Sequence, residues 1–164
     1  MLEILFKPPA RRAWLCPLAY NSRMEYASHD FVGVKIALIY GESLVMILRD
    51  DTPGLRLAGL WDFPGGGREN GESPFACAAR EVKEELSLTI TQSMVRWSRT
   101  YPAMVEAGRT AYFLAGDITR HDVDSIVLGD EGQEWRLVRI DDFFARDDVV
   151  PQLKGRLQDY LARA

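Results

Sequence analysis

The sequence predicts an α/β fold, an α/β/α sandwich around a mixed sheet, on three observations. Apolar runs of strand length recur between residues 31 and 140. Two amphipathic helical runs, one opening at Ser73-Pro74 and one at Pro151, interleave with them, as packed layers require. At 164 residues with 47% apolar content, the chain is long enough for one domain with a sizeable core.

The elements follow in order. Residues 1–30 carry scattered aromatic and polar groups and read as an extension with one strand, packed on or beside a domain spanning 31–164. Apolar runs at 31–39 and 44–48 flank Gly41 and predict a hairpin. A loop at 50–59 leads to a strand at 60–63 and then to Pro64-Gly65-Gly66-Gly67. Ser73 caps the next helix and Pro74 takes its first position, where a missing N–H is harmless. Phe75, Ala78, Ala79, Val82 and Leu86 fall within about 100° of arc and form its buried stripe. Cys77 falls on the acidic side of that helix and reads as a semi-exposed thiol. Residues 88–101 alternate like a strand, Gly108 turns the chain into another at 110–115, and a loop through His121 and Gly129 leads to a strand at 135–140. Asp141-Asp142 opens a short helix. Pro151 starts the last one, with Leu153, Leu157, Tyr160 and Leu161 on one face.

Composition narrows the function. A net charge of −4 argues against a nucleic-acid binder, which carries a basic face. No stretch reaches membrane-spanning length, and the start, Met1-Leu2-Glu3-Ile4-Leu5-Phe6-Lys7, makes a poor signal peptide. Two cysteines, Cys16 and Cys77, are too few for a disulfide framework, although a single bridge stays open. The default location is the cytoplasm.

The informative segment is 66–88. Glu81 and Glu85 lie one turn apart and Glu84 beside them, so three carboxylates share one flank of the helix. Like charges at that spacing repel, and keeping them together predicts a cation to hold. Oxygen ligands suit a hard ion, Mg2+ or Mn2+, which completes its shell with water and substrate phosphates. The glycines ahead of the helix let backbone approach a ligand closely. A metal-bound diphosphate fits such a site.

Read as Gly66, five residues, Glu72, seven residues, then Arg80-Glu81-Val82-Lys83-Glu84-Glu85-Leu86-Ser87-Leu88, the segment resembles the signature of the Nudix hydrolases. It matches every fixed position except one, where Ser87 replaces a glycine. Trp61-Asp62-Phe63-Pro64-Gly65-Gly66 and Glu131-Gly132-Gln133 are similar to MutT-type members, which split nucleoside triphosphates into monophosphate and pyrophosphate. The resemblance covers roughly residues 31–164 and implies the sandwich fold.

It also implies roles. Glu81, Glu84 and Glu85 would hold the metal, with a carbonyl of Gly65 or Gly66 added, and both glycines would line the substrate. Glu72 and Arg80 would brace loop on helix. Glu131 leads as general base or further ligand, with Glu81 and Glu134 in contention. Trp61, Trp97, Tyr101, Tyr112 and Trp135 could stack a base, although core packing is their commoner role. Asp147 falls where members that cleanse oxidised guanine nucleotides carry a base-reading asparagine. An ionised aspartate only accepts, so strong selectivity for the oxidised base is not expected. Ser87 should alter the helix end and leave the chemistry intact.

The implied activity is metal-dependent hydrolysis of a phosphoanhydride in a nucleoside diphosphate-linked small molecule, a nucleoside triphosphate first. A dinucleotide or nucleoside-diphosphate-sugar pyrophosphatase comes second. A Nudix-fold module that senses a nucleotide without turnover is the third reading, and the intact carboxylates argue against it. Assembly is left open, a homodimer included.

Overall fold

A computed structural model describes residues 30–104 and 106–163. The expected strand within the N-terminal extension lies outside the described residues. The hairpin forms as expected: β1 (Phe31–Tyr40) and β2 (Ser43–Leu48) turn through Gly41 at φ +59°. β3 (Trp61–Asp62), α1 (Pro74–Leu86), β4 (Val95–Pro102), β5 (Thr110–Asp117), α2 (Arg120–Asp124), β6 (Glu134–Arg139), α3 (Ile140–Ala145) and α4 (Pro151–Leu161) follow.

The sheet is mixed. β1 runs parallel to β5, which pairs antiparallel with β4. β2 pairs antiparallel with β6 along its length. On its other edge β2 meets β1 only at Ile39–Leu44 and Tyr40–Ser43, then meets β3 at Ile47–Asp62 and Leu48–Trp61. A strand has two edges, so β1 and β2 splay apart beyond their turn and β3 enters the fork between them. The chain after β3 then lies on β1: the amides of Ile36 and Val34 donate to the carbonyls of Pro64 and Gly66, each at 2.9 Å.

Strand alternation divides the core into two layers. Ile36, Leu38, Val45, Ile47 and Leu114 face α1, whose Cys77, Ala78, Val82 and Leu86 are buried against them. Ala37, Ile39, Leu44, Met46, Phe113 and Ala115 face α3 and α4 through Phe143, Leu153, Leu157 and Tyr160. Each large side chain so buried contributes about 1.5–3 kcal/mol.

Four local expectations are corrected. Cys77 is fully buried: it points at the glycine-rich segment, 3.4 Å from the Gly67 carbonyl, which covers a side of α1 that the apolar stripe leaves bare. Burial pushes its thiol up to about 12. The segment around His121 is helix α2, because Thr119 and Asp122 cap each other. Leu88 and Ile90 are buried outside any strand and β4 begins only at Val95, after a 3-10 turn at Gln92–Met94. Leu161, the last residue of α4, is exposed and stays off the buried face that Leu153, Leu157 and Tyr160 form.

Ser87 ends α1 in the left-handed conformation, φ 54° and ψ 13°, with its amide on the Lys83 carbonyl. Non-glycine residues are strained there. Ser87→Gly should therefore raise stability by up to about 1 kcal/mol, read as a higher midpoint in chemical denaturation. A lower midpoint would show that the serine has a compensating role.

Candidate active site

The glycine-rich segment can lie against β1 only because side chains are missing. A Cβ on Gly65, at φ +125°, would collide with the Val34 carbonyl, and one on Gly33 with the Gly66 carbonyl. Gly66 sits against α1, where a Cβ would come within 2.5 Å of Glu81 Oε1. Loop and helix are thus in contact through backbone on one side and carboxylate on the other.

Arg80 ties them further. Its guanidinium bonds Glu72 at 2.8 Å, the Gly67 carbonyl at 2.8 Å, Glu81 at 2.9 Å and Glu84 at 2.9 Å. The Arg80 hydrogen bond holds the Glu72 carboxyl below its usual range, and Glu72 in turn raises the guanidinium's own pKa. Glu72 also accepts the Glu69 amide at 3.0 Å.

Glu85 points inward and accepts the Gly65 amide at 2.8 Å. Burial pushes its carboxyl up to about 7, against the opposing pull of Lys35 and of that amide. Burial also raises Glu81, opposed by Arg80. Glu84 is on the solvent side of the helix, against Arg80.

A pocket of about 500 Å3 opens beside Glu85, within the range of small-molecule sites. Glu131 lines it, as do Lys35, Arg49, Asp50, Asp62 and Phe63. Glu134 pairs with Arg136 at 2.9 Å on β6 and is not part of the lining. The pocket also contains a charge centre that the sequence reading missed. Asp62, only 4% exposed, accepts Lys35 at 3.0 Å, Arg49 at 3.1 Å and the Phe63 amide at 2.8 Å. Lys35 also donates to the Gly65 carbonyl. The available signal was a lone lysine within the apolar run Phe31–Tyr40 and a lone aspartate between Trp61 and Phe63. Charges in such runs need a partner.

Other expected residues are elsewhere. Trp61 is buried in the core layer with Phe63 and Phe143, under the guanidiniums of Arg136 and Arg146, and is not part of the pocket lining. Trp97 packs on Phe113 and Tyr160, Tyr101 on Phe113, Tyr112 on Phe31, and Trp135 against the α1-side core. Asp147 is exposed between α3 and α4, outside the pocket lining. The Gly66 carbonyl accepts the Val34 amide, leaving one lone pair for any further donor or ion.

The donors fit a hard divalent cation in kind. Glu81 and Glu85 are carboxylates whose charged forms are disfavoured by burial, and a cation beside them would remove that cost. Among the described residues no three His, Cys, Asp or Glu side chains converge tightly enough to enclose an ion, and Glu81 and Glu84 both pair with Arg80. No helix among them is long and apolar enough to cross a membrane.

The model of the NUDIX domain matches residues 31–160. Several solved structures share the fold. A MutT protein from Methanosarcina mazei aligns at TM-score 0.63 and 18% identity over 82% of this chain and 98% of its own. An Ap4A hydrolase from C. elegans aligns at 0.60 and 20%, covering 79% and 96%. A bifunctional NMN adenylyltransferase/ADP ribose pyrophosphatase from Francisella tularensis, complexed with AMP and a Mn ion, aligns at 0.55 and 20%. That match covers 68% of this chain, which spans about a third (34%) of the bifunctional protein. No curated protein matches the chain.

The raised Glu85 pKa has a defined consequence. The folded state holds this proton up to about pH 7, whereas the unfolded carboxyl releases it near 4.5. Folding therefore binds protons between those values, so stability falls as pH rises through that window. In chelator, the wild-type thermal midpoint should drop from about pH 5 to about pH 8, and Glu85→Gln should flatten that part of the profile. An unchanged slope in the variant would mean that Glu85 titrates normally.

Proposed function

This chain belongs to the NUDIX family of hydrolases, and we propose that it cleaves a nucleoside triphosphate into monophosphate and pyrophosphate. The observation that carries this reading is a pocket whose lining brings together Glu85, Glu131, Lys35 and Arg49. Family members require a divalent metal; Mg2+ is our assignment, with Mn2+ an alternative supported by the ion in one structural relative.

The proposed ligands are Glu81, Glu84 and Glu85, with the Gly65 or Gly66 carbonyl. A bound divalent ion supplies positive charge to the phosphoryl oxygens. The protein's own groups do the rest. Glu131 takes the proton of the attacking water as the new P–O bond forms and the bridging P–O bond breaks. Lys35 and Arg49 face the polyphosphate, and pyrophosphate leaves with the released bridging oxygen. Arg80 and Glu72 keep the loop and α1 in register.

The entry Trp61-Asp62-Phe63-Pro64-Gly65-Gly66 and the Glu131-Gly132-Gln133 loop favour a triphosphate. Likeness to an Ap4A hydrolase over nearly all of that chain supports a dinucleotide polyphosphate as the second reading. The intact Glu81, Glu84 and Glu85 speak against a sensing module without turnover. A free buried Cys77 thiol suits a reducing compartment, in line with a cytoplasmic enzyme.

Turnover on a panel of ATP, dGTP, diadenosine tetraphosphate and ADP-ribose, with Mg2+ and with Mn2+, tests the reading. A triphosphate should give monophosphate and pyrophosphate at the highest kcat/KM; preference for either of the last two would replace the substrate assignment. On the best substrate Glu84→Gln or Glu85→Gln should lower the rate by about a hundredfold or more, with the fold retained in chelator. Glu131→Gln should lower kcat by about 10²–10⁴, while Glu134→Gln stays near wild type. Equal effects at Glu131 and Glu134 would move the base elsewhere, Glu81 first.

A further inference from the structure

The loop carrying Glu131 is tethered on both sides at very short range. Upstream, the Val127 amide donates to the Leu86 carbonyl at 3.0 Å and the Gly129 amide to the Glu85 carbonyl at 2.8 Å. Gly129 seats so closely on the end of α1 that a Cβ would strike the Glu84 carbonyl. Downstream, the Gln133 amide donates to the Leu48 carbonyl at 2.8 Å. Two side chains strengthen that end. Gln133 Nε2 donates to the Arg49 carbonyl at 2.7 Å, and Asp50 Oδ2 accepts the Gly132 amide at 3.3 Å. Gly132 itself takes φ +88°, where a Cβ would come within 2.7 Å of Ile47 Cγ2.

Only Asp130 and Glu131 span the gap between Gly129 and Gly132. One anchor is the backbone of Glu85, whose side chain lines the pocket; the other is the end of β2, where Asp50 lines it too. We propose that Asp50 and Gln133 are positioning residues, which hold the Gly132-Gln133 backbone so that Glu131 keeps a fixed place in the pocket that Glu85 also lines. This rests on the reading of Glu131 as the base. Neither side chain transfers a proton or holds the substrate. Each acts through a hydrogen bond that ties the loop to the residues just after β2, and for Asp50 the requirement is an acceptor oxygen, which a carboxamide also provides.

That last point makes the role testable. On whichever of ATP, dGTP, diadenosine tetraphosphate and ADP-ribose is hydrolysed fastest with Mg2+, Asp50→Ala and Gln133→Ala should lower kcat about ten- to a hundredfold with KM little changed, as misplacement of a reacting group does. Asp50→Asn should restore most of the rate, because its carbonyl still accepts the Gly132 amide. Combined with Glu131→Gln, neither alanine variant should cost anything further, since a base that is gone cannot be misplaced. Gln133 is exposed, so Gln133→Ala decides the matter if Asp50→Ala does not fold. The proposal is overturned if Asp50→Asn is as damaging as Asp50→Ala, which would make Asp50 a ligand or base in its own right. It also fails if the alanine and Glu131→Gln losses multiply, or if both alanine variants keep full rate. A fully active Glu131→Gln, or no turnover on any of the four substrates, would instead defeat the functional reading itself and remove the basis for the positioning role.

Discussion

The fork between β1 and β2 is the constraint on which the site depends. Two strands joined by a tight turn would ordinarily pair along their length, and here they pair over two residues only. The open edges of both strands must still be satisfied, because an unpaired buried amide costs about 1–3 kcal/mol. Residues 61–68 meet that demand. β3 completes β2, and the following amide and carbonyl groups complete β1, with Arg68 donating to the Val32 carbonyl at the far end. The glycine-rich loop is therefore part of the sheet's own hydrogen bonding. Its position relative to α1 is set with the rigidity of a strand.

Charge is concentrated in the same fork. Asp62 is buried at its base, and a lone carboxylate there would be costly. Lys35 from β1 and Arg49 from the end of β2 neutralise it, one cation from each arm of the splay. Losing both cations would leave Asp62 a buried, unpaired charge, which costs far more than the pairs themselves contribute. Lys35 reaches the Gly65 carbonyl, and the Gly65 amide reaches Glu85. The base of the fork and the acidic helix are thereby joined through one glycine residue. Arg80 does the same on the outer side, through Gly67. These contacts hold the half-buried carboxylates of Glu81 and Glu85 against the glycine-rich loop, although burial disfavours their charged forms.

The amphipathic stripe, the serine cap and Pro74 made α1 legible, and the spacing of Glu72, Arg80, Glu81, Glu84 and Glu85 made the site legible. Spacing on one helix translates directly into position, because the helix repeat is fixed. Cys77 shows the limit of that translation. Its place on the helical wheel was read correctly, but its burial depends on the glycine-rich segment lying against that flank. The capping pair that starts α2 was missed because Asp122 stands where Glu or Gln is the usual partner. Trp61 and Asp62 are adjacent, and pleating sends one to the core and the other to the pocket. The residue types point the tryptophan to the core, but only the fold supplies the cations that the aspartate meets on the other face.

The sequence by itself determined the sandwich, the acidic helix, the glycine loop and the family they indicate, since each follows from local periodicity or from a fixed motif within about thirty residues. Only the tertiary structure decided what surrounds them. Lys35, Arg49 and Asp62 become one charge centre, and Glu131 rather than Glu134 lines the pocket, through pairings between segments some 13 to 84 residues apart. The physical reason is that hydrogen-bond register and strand splay are collective properties of the sheet. A one-residue shift in either would send every side chain along the strand to the opposite face, and no local pattern in the chain encodes it.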